Sequence, residues 1–390
     1  MKEQLGIWIK YYKFLYSWYY YIMGFFLWLL KKVVKPDKNI ILFSSFGGKK
    51  FDDSPKVIYD LMLLDNRFNQ FKLVWAFHKP DNFEIPRGEK VRTDTWSFFI
   101  TALRARCWIT NSSIERGIKF KGKNTFYLNT WHGTPIKRMG ADIATINKSF
   151  RRKGKSALDA FLVQGKFEAE IFSRVFRINP NKIYLYGLPR NDSLVNYAKT
   201  DKELIAKELG LPAGKRVILY APTFREYDRD NKKRCIIAPP ININKWKKNL
   251  SQDYVFLFRA HYEVAKALHI EFDNEFIFDV SRYGILNKLM LVSDLLISDY
   301  SSIFFDYSIM EKPMFCFAYD YDRYASERGM YFDIRQKLTS CSNEDSLIDA
   351  IKKLDSQKEI KKAINFKKEF IDAYGEATQL SLNLIYNNIE

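Results

Sequence analysis

Histidine occurs four times in 390 residues, so the places where it falls carry information. His132 lies in Asn129-Thr130-Trp131-His132-Gly133-Thr134-Pro135, with Lys137 and Arg138 just beyond. A neutral imidazole near pH 7 is the natural base for an attacking hydroxyl; a hydrogen-bonded loop or core histidine is the competing reading. Gly133 would let backbone approach a ligand closely. His261 follows Arg259 by two residues in Arg259-Ala260-His261-Tyr262, and extended backbone sends both side chains from one face. A guanidinium and an imidazole converging there would suit a phosphate with developing charge, although each could be purely structural. Ser301 and Ser302, in Ser298-Asp299-Tyr300-Ser301-Ser302, precede a helical stretch, where free N–H groups favour phosphate or an ordinary serine cap forms. Asp306 falls one turn later on the same face, to reach a ribose hydroxyl or to cap and solvate it. Ser44–Phe51 is a Gly-containing turn with Lys49 and Lys50 that matches neither the P-loop nor G-x-G-x-x-G. His78 and His269 lack comparable neighbours and read as structural. No D-x-D or H-x-x-x-D/E cluster demands a metal, and no G-x-S-x-G hydrolase elbow is present.

These residues share a position: each follows a short apolar run. Candidate strands are Ile40–Phe43, Leu73–Ala76, Trp108–Thr110, Phe126–Leu128, Phe161–Val163 and Ile183–Tyr186, then Val217–Tyr220, Val255–Phe258, Phe276–Phe278, Leu295–Ile297 and Met314–Phe317. Amphipathic stretches such as Pro55–Leu64, Thr95–Leu103, Glu168–Phe176, Ile285–Val292 and Ile303–Met310 alternate with them, the pattern of βαβ units and parallel sheets. The polar stretch 196–215 ends in LGLPAGK and reads as a linker. The expected organisation is α/β: residues 1–35 a helical segment, 36–195 and 216–390 two doubly wound domains facing one cleft. In such sheets ligands bind beyond the carboxyl ends of the strands, where the chemistry-bearing residues lie.

The chain carries 63 Lys and Arg against 45 Asp and Glu, a net charge of +18, and is 16% aromatic. A folded, basic, aromatic-rich chain meets nucleic acid, an anionic membrane surface or a phosphorylated substrate. The aromatic excess is concentrated at the start: Phe14–Leu30 carries no charge, and Lys10, Lys13, Lys31, Lys32 and Lys35 bracket it. That segment reads as helix lying in a membrane interface, as one short spanning helix, or as a helix on the protein's own core. Cys107, Cys235, Cys316 and Cys341 form no C-x-x-C pair, which fits a reducing compartment and argues against a disulfide scaffold or zinc site. No recognition-helix or RNA-binding motif accompanies the charge, so nucleic acid is set aside.

In order along the chain, Thr130–Pro135 (TWHGTP), Gly187–Asp192 (GLPRND), Tyr220–Glu226 (YAPTFRE), Arg259–Tyr262 (RAHY) and Ser298–Tyr307 (SDYSSIFFDY) closely resemble the CDP-glycerol glycerophosphotransferase family, the wall teichoic acid primases and polymerases and their capsule-building relatives. The resemblance runs from about Ser44 to Phe332. It implies a GT-B-like fold of two Rossmann-type domains, an acceptor-side domain and a nucleotide-binding one, attached monotopically to the cytoplasmic face of the membrane. It implies attack of an acceptor hydroxyl on the distal phosphorus of a CDP-activated polyol with release of CMP, the donor being CDP-glycerol or CDP-ribitol and the acceptor a lipid-linked glycan. His132 would be the base; His261 and Arg259 would contact the pyrophosphate; Ser301 and Ser302 would bind phosphate; Asp299 or Asp306 would help hold the nucleotide. Thr223 and Arg225 would line the cleft with Gly133, Thr134, Lys137, Arg138 and Lys49. No tightly bound cofactor or metal is implied. The family's first motif commonly reads F-H-G-K followed by N-P; here it is Phe46-Gly47-Gly48-Lys49 with Ser54-Pro55. A glycosyltransferase of the same fold using a sugar nucleotide is the alternative, told apart by the donor.

Overall fold

The structure is a computed structural model that describes residues 13–143, 156–223, 239–260 and 270–390. Seven parallel strands form the first sheet: β1 (Asp37–Ser44), β2 (Lys72–Phe77), β3 (Glu89–Arg92), β4 (Ala105–Thr110), β5 (Phe126–Asn129), β6 (Ala160–Val163) and β7 (Ile183–Leu185). Their spatial order is β3-β2-β1-β4-β5-β6-β7. The second sheet holds β8 (Arg216–Tyr220), β9 (Tyr254–Phe258), β10 (Ile277–Asp279), β11 (Leu295–Ser298), β12 (Met314–Phe317) and β13 (Thr339–Cys341), ordered β10-β9-β8-β11-β12-β13. Strand order reverses between β1 and β4 in one sheet and between β8 and β11 in the other. There the outgoing loops diverge and open a crevice.

Alternation explains why both sheets are covered on both faces. Ile40 and Leu42 enter one core cluster while Ile41 and Phe43 enter another; Val217 and Leu219 are split likewise from Ile218 and Tyr220. Such strands read as unbroken apolar runs, and eleven of the thirteen coincide with runs visible in the sequence. The other two, β3 and β13, are edge strands. Glu89-Lys90-Val91-Arg92 buries only Val91, so an apolar signal has no reason to exist there.

Helix α1 (Lys13–Val33) packs one face on the protein's own core. Leu27 is fully buried in the first domain's core, with Tyr20, Met23 and Leu30 packed beside it. On the rest of its surface Trp18, Tyr21, Phe25 and Trp28 are more than half exposed. No helix among the described residues is long and apolar enough to cross a membrane.

The C-terminus crosses back. Helix α2 (Asp53–Met62) covers β1, and α12 (Ala377–Ile389) packs Leu382, Ile385 and Ile389 into the core around Ile41 and Phe43. The last helix therefore covers the first sheet, although its residues fall in the span 216–390 expected of the second domain. Asp192 caps it: the carboxylate accepts from the N–H groups of Ala377 and Thr378 and from the Thr378 hydroxyl.

Candidate active site

Asn111, the first residue after β4, organises the first domain's side of the crevice. Its carbonyl oxygen lies 2.7 Å from Nδ1 of His132, while its side-chain Oδ1 accepts from the backbone N–H of Phe46 at 2.7 Å. A carbonyl only accepts, so Nδ1 carries the proton and Nε2 keeps its lone pair. Burial disfavours the charged ring and pulls the His132 pKa below its ordinary value, against the opposing pull of the Asn111 carbonyl. The ring is thus held as a neutral imidazole with a fixed tautomer. Trp131 stacks on it at 4.1 Å between centroids, and Phe46 stands 5.6 Å away on another side. Trp131 itself adopts φ 50°, a left-handed conformation that a bulky residue keeps only when its surroundings enforce it. Asn129 supplies part of that enforcement: Oδ1 accepts from the Trp131 N–H, and Nδ2 donates to the Ser112 carbonyl.

From the second domain, Ser301 and Ser302 follow β11 and open α8 (Ile303–Ser308). That helix has six residues, shorter than the expected Ile303–Met310, so its dipole contributes little. The two serines differ in their contacts. Ser301 Oγ accepts from the Ile303 N–H, whereas the Ser302 side chain makes no cap hydrogen bond and meets the His132 loop. Arg259, after β9, also borders the crevice, its Nη1 held by the carbonyls of Val280 and Tyr283. The cavity between these groups has a volume of about 220 Å³; its walls include His132, Lys50, Asp52, Arg259, Ser301 and Ser302.

A buried polar chain starts in its wall, where Asp53, Arg190 and Asp306 border the cavity, and runs on into the first domain. The Arg190 guanidinium bridges Asp53, at the start of α2, and Asp306, in α8, with contacts of 3.0 and 2.9 Å. Oδ1 of Asp306 accepts further from Asn191 and Gln164. Gln164 donates to the Thr134 hydroxyl, which donates to Glu168, the first-turn carboxylate of α4 (Lys166–Phe176). Burial pushes Glu168 up to about 7. Each polar residue of the GLPRND run ties parts together: Arg190 and Asn191 join the two domains, and Asp192 holds α12.

This arrangement corrects several expectations. Asp306 is 3% exposed and borders the cavity, and its carboxylate accepts from Arg190, Asn191 and Gln164. Asp299 is 1% exposed and accepts from the N–H groups of Thr223 and Tyr300, so it joins the loops after β8 and β11. Thr134 is buried behind the crevice. Lys137 and Arg138 form a short two-domain pairing instead of lining the cavity: Lys137 bridges to Met330, and the Arg138 N–H donates to the Gly329 carbonyl. Lys50, and not Lys49, borders the cavity, as do Ala221 and Pro222 in place of Thr223. His261, Arg225 and His269 lie outside the described residues. His78 acts through its backbone, whose N–H donates to the Gly48 carbonyl at 2.7 Å. Among the described residues no group of three or more His, Cys, Asp or Glu side chains could hold a metal ion.

Asn111, Asp52 and Asn287 carry no motif signal. The rule that found His132 would have found Asn111, which also follows a strand at the point where strand order reverses. Asp52 and Asn287 reach the cavity by tertiary packing alone.

Residues 27–385 match the CDP-glycerol:poly(glycerophosphate) glycerophosphotransferase family. The chain is 34% identical over 379 residues to the teichoic acid poly(glycerol phosphate) polymerase of Staphylococcus epidermidis, covering 92% of this chain and 51% of that protein, about half its length. It is 33% identical over 344 residues to the teichoic acid glycerol-phosphate transferase of Staphylococcus aureus, covering 84% and 86% of the two chains. The solved wall teichoic acid polymerase TagF superposes with a TM-score of 0.82 at 32% identity, over 93% of this chain and 92% of that one. A TagF variant soaked with CDPG gives 0.84. At 11% identity, the UDP-GlcNAc 2-epimerase of Neisseria meningitidis shares the fold alone, with a TM-score of 0.51 over 89% and 99% of the chains. Two parallel, doubly wound sheets facing one crevice make the architecture GT-B-like, and the chain belongs to the CDP-glycerol:poly(glycerophosphate) glycerophosphotransferase family.

Proposed function

We propose that this chain transfers glycerol phosphate or ribitol phosphate from its CDP-activated form to a hydroxyl of a lipid-linked glycan, at the cytoplasmic face of the membrane. The observation that carries this reading is the pairing of a neutral, tautomer-fixed His132 with Arg259, Lys50 and Ser302 around one cavity. His132 Nε2 takes the acceptor proton as the acceptor oxygen bonds to the distal phosphorus, and the phosphoanhydride bond to CMP breaks. Arg259 and Lys50 balance charge that grows on the bridging and equatorial oxygens, and Ser302 donates to one of them. His261 and Arg225 join them by family resemblance. Helix α1 supplies the membrane contact: its exposed Trp, Tyr and Phe side chains sit at headgroup depth, and Lys32 and Lys35 face acidic lipid, at about 1 kcal/mol each.

The test is incubation of the whole protein and a lipid-linked acceptor with CDP-glycerol, CDP-ribitol and UDP-sugars, following nucleotide release and product length. CMP release from a CDP-polyol, dependent on acceptor, is the expected result. UDP release from a sugar nucleotide, with the CDP-polyols inert, would replace this reading by the glycosyltransferase one.

A further inference from the structure

His132 faces a second cavity. It lies wholly within the first domain, has a volume of about 450 Å³, and shares only His132 with the walls of the crevice cavity. Its size falls within the roughly 300–1,000 Å³ of small-molecule sites.

The two cavities differ in chemistry. The crevice is lined by Lys50, Arg190 and Arg259 together with Asp52, Asp53 and Asp306; Arg190 is paired with Asp53 and Asp306, which leaves Lys50 and Arg259 to meet a pyrophosphate. The second is walled by Tyr127, Trp131, Phe161 and Phe176, and its charged groups are one Glu115 and one Lys119, which leave it without net charge. Serine hydroxyls interleave with the aromatic rings. Aromatic faces with interspersed hydroxyl groups suit a neutral polyhydroxylated ring, whose C–H face stacks while its hydroxyls hydrogen-bond. The strained Trp131 fits this role, because its ring is fixed 4.6 Å from Phe176 and 4.1 Å from His132 by a backbone that would otherwise relax.

The loop that closes one side is held by α1. The Tyr20 hydroxyl donates to the Arg116 carbonyl at 3.0 Å, Lys31 Nζ reaches the Lys121 carbonyl at 2.6 Å, and Tyr20 also packs on Gly117. The aromatic helix thus adjoins the mouth of the cavity.

Resting on the transferase reading above, we propose that this cavity receives a sugar ring of the acceptor, stacked on Trp131, with the donor entering His132 from the opposite side. The acceptor hydroxyl loses its proton to His132 as its oxygen bonds to the donor's distal phosphorus; CMP leaves with the electrons of the broken P–O bond. The lipid end of the acceptor runs out beside α1.

Ala157→Trp fills the cavity from a wall residue remote from the crevice. In the full-length protein it should raise the KM of a short-chain alkyl disaccharide acceptor by about tenfold or more while CDP-glycerol affinity stays within about twofold. An unchanged acceptor KM in a folded variant would overturn the proposal. A second measurement needs no variant: saturation-transfer NMR of the alkyl disaccharide on wild-type protein, irradiating aromatic protons. Saturation of the ring C–H protons that persists under saturating CMP, which occupies the crevice without turnover, is expected; loss of the signal on adding CMP would put the sugar in the crevice and overturn it. A wild-type protein that releases no CMP from any CDP-polyol would instead defeat the transferase reading.

Discussion

A Cβ placed on Gly133 would lie 2.5 Å from Oγ of Ser302. These two residues come from different domains, and the contact brings the His132 loop against the serine loop after β11. Gly133 also has φ 150°, a region where side chains are rare. Replacement by alanine therefore pushes the His132 loop and Ser302 apart. Gly133→Ala should lower kcat by about 10² or more, since displacement of reacting groups by about 1 Å has that effect. Steady-state transfer to acceptor checks it; a variant at wild-type rate would show that the close approach is dispensable.

His132→Gln should lose about 10²–10⁴ in kcat and keep CDP-glycerol affinity, as removal of a general base does. The pH profile gives an independent reading. Burial favours the neutral ring, so the folded pKa lies below the ordinary 6.5. The base stays available to lower pH than a free imidazole would, and the acid limb of kcat/KM should fall below 6.5. A limb above that value would assign it to another group.

Arg190 is buried between two carboxylates, so its loss leaves both uncompensated. Arg190→Met should cost about 3–5 kcal/mol in urea unfolding. A loss below about 1 kcal/mol would mean that water reaches Asp53 and Asp306 and that the domains are not held by this bridge.

Glu168 gives a stability signature with a definite sign. Its pKa rises from 4.5 unfolded to about 7 folded, so the folded state holds the proton more tightly. The resulting stability is present below 4.5 and lost as pH rises through about 7. Glu168→Gln should flatten the decline in Tm over that interval. An unchanged pH dependence of Tm would show that Glu168 titrates as an exposed carboxylate does.

Opposite faces of α1 should respond differently. Phe25→Ser with Trp28→Ser removes exposed rings and should abolish flotation with anionic vesicles while Tm stays within a few degrees. Leu27→Ala should cost about 2–5 kcal/mol, as truncation of a buried leucine does. Flotation unaffected by the first pair would remove the membrane role.

Apolar runs, and the residues that end them, were legible in the chain itself. Val217–Tyr220 must be a buried strand because nothing in it tolerates water, and parallel strands put their ligand-binding loops at one end; His132, Arg259, Ser301 and Ser302 follow from that alone. The strand Glu89–Arg92 carries no such pattern, because of its four residues only Val91 is buried. The roles of polar side chains were decided only by folding. Asp306 sits one helical turn after Ser302 in the sequence, yet whether it meets a ribose or a guanidinium depends on where Arg190 arrives, 116 residues away in the chain. Lys49 and Lys50 are indistinguishable by type; the turn at Gly47 and Gly48 points the second toward the cavity. The protonated nitrogen of His132 is likewise set by a carbonyl 21 residues away. Apolar burial is written residue by residue, because each side chain carries its own cost of meeting water. A hydrogen bond needs two partners at one distance, and only the tertiary structure brings the second one near.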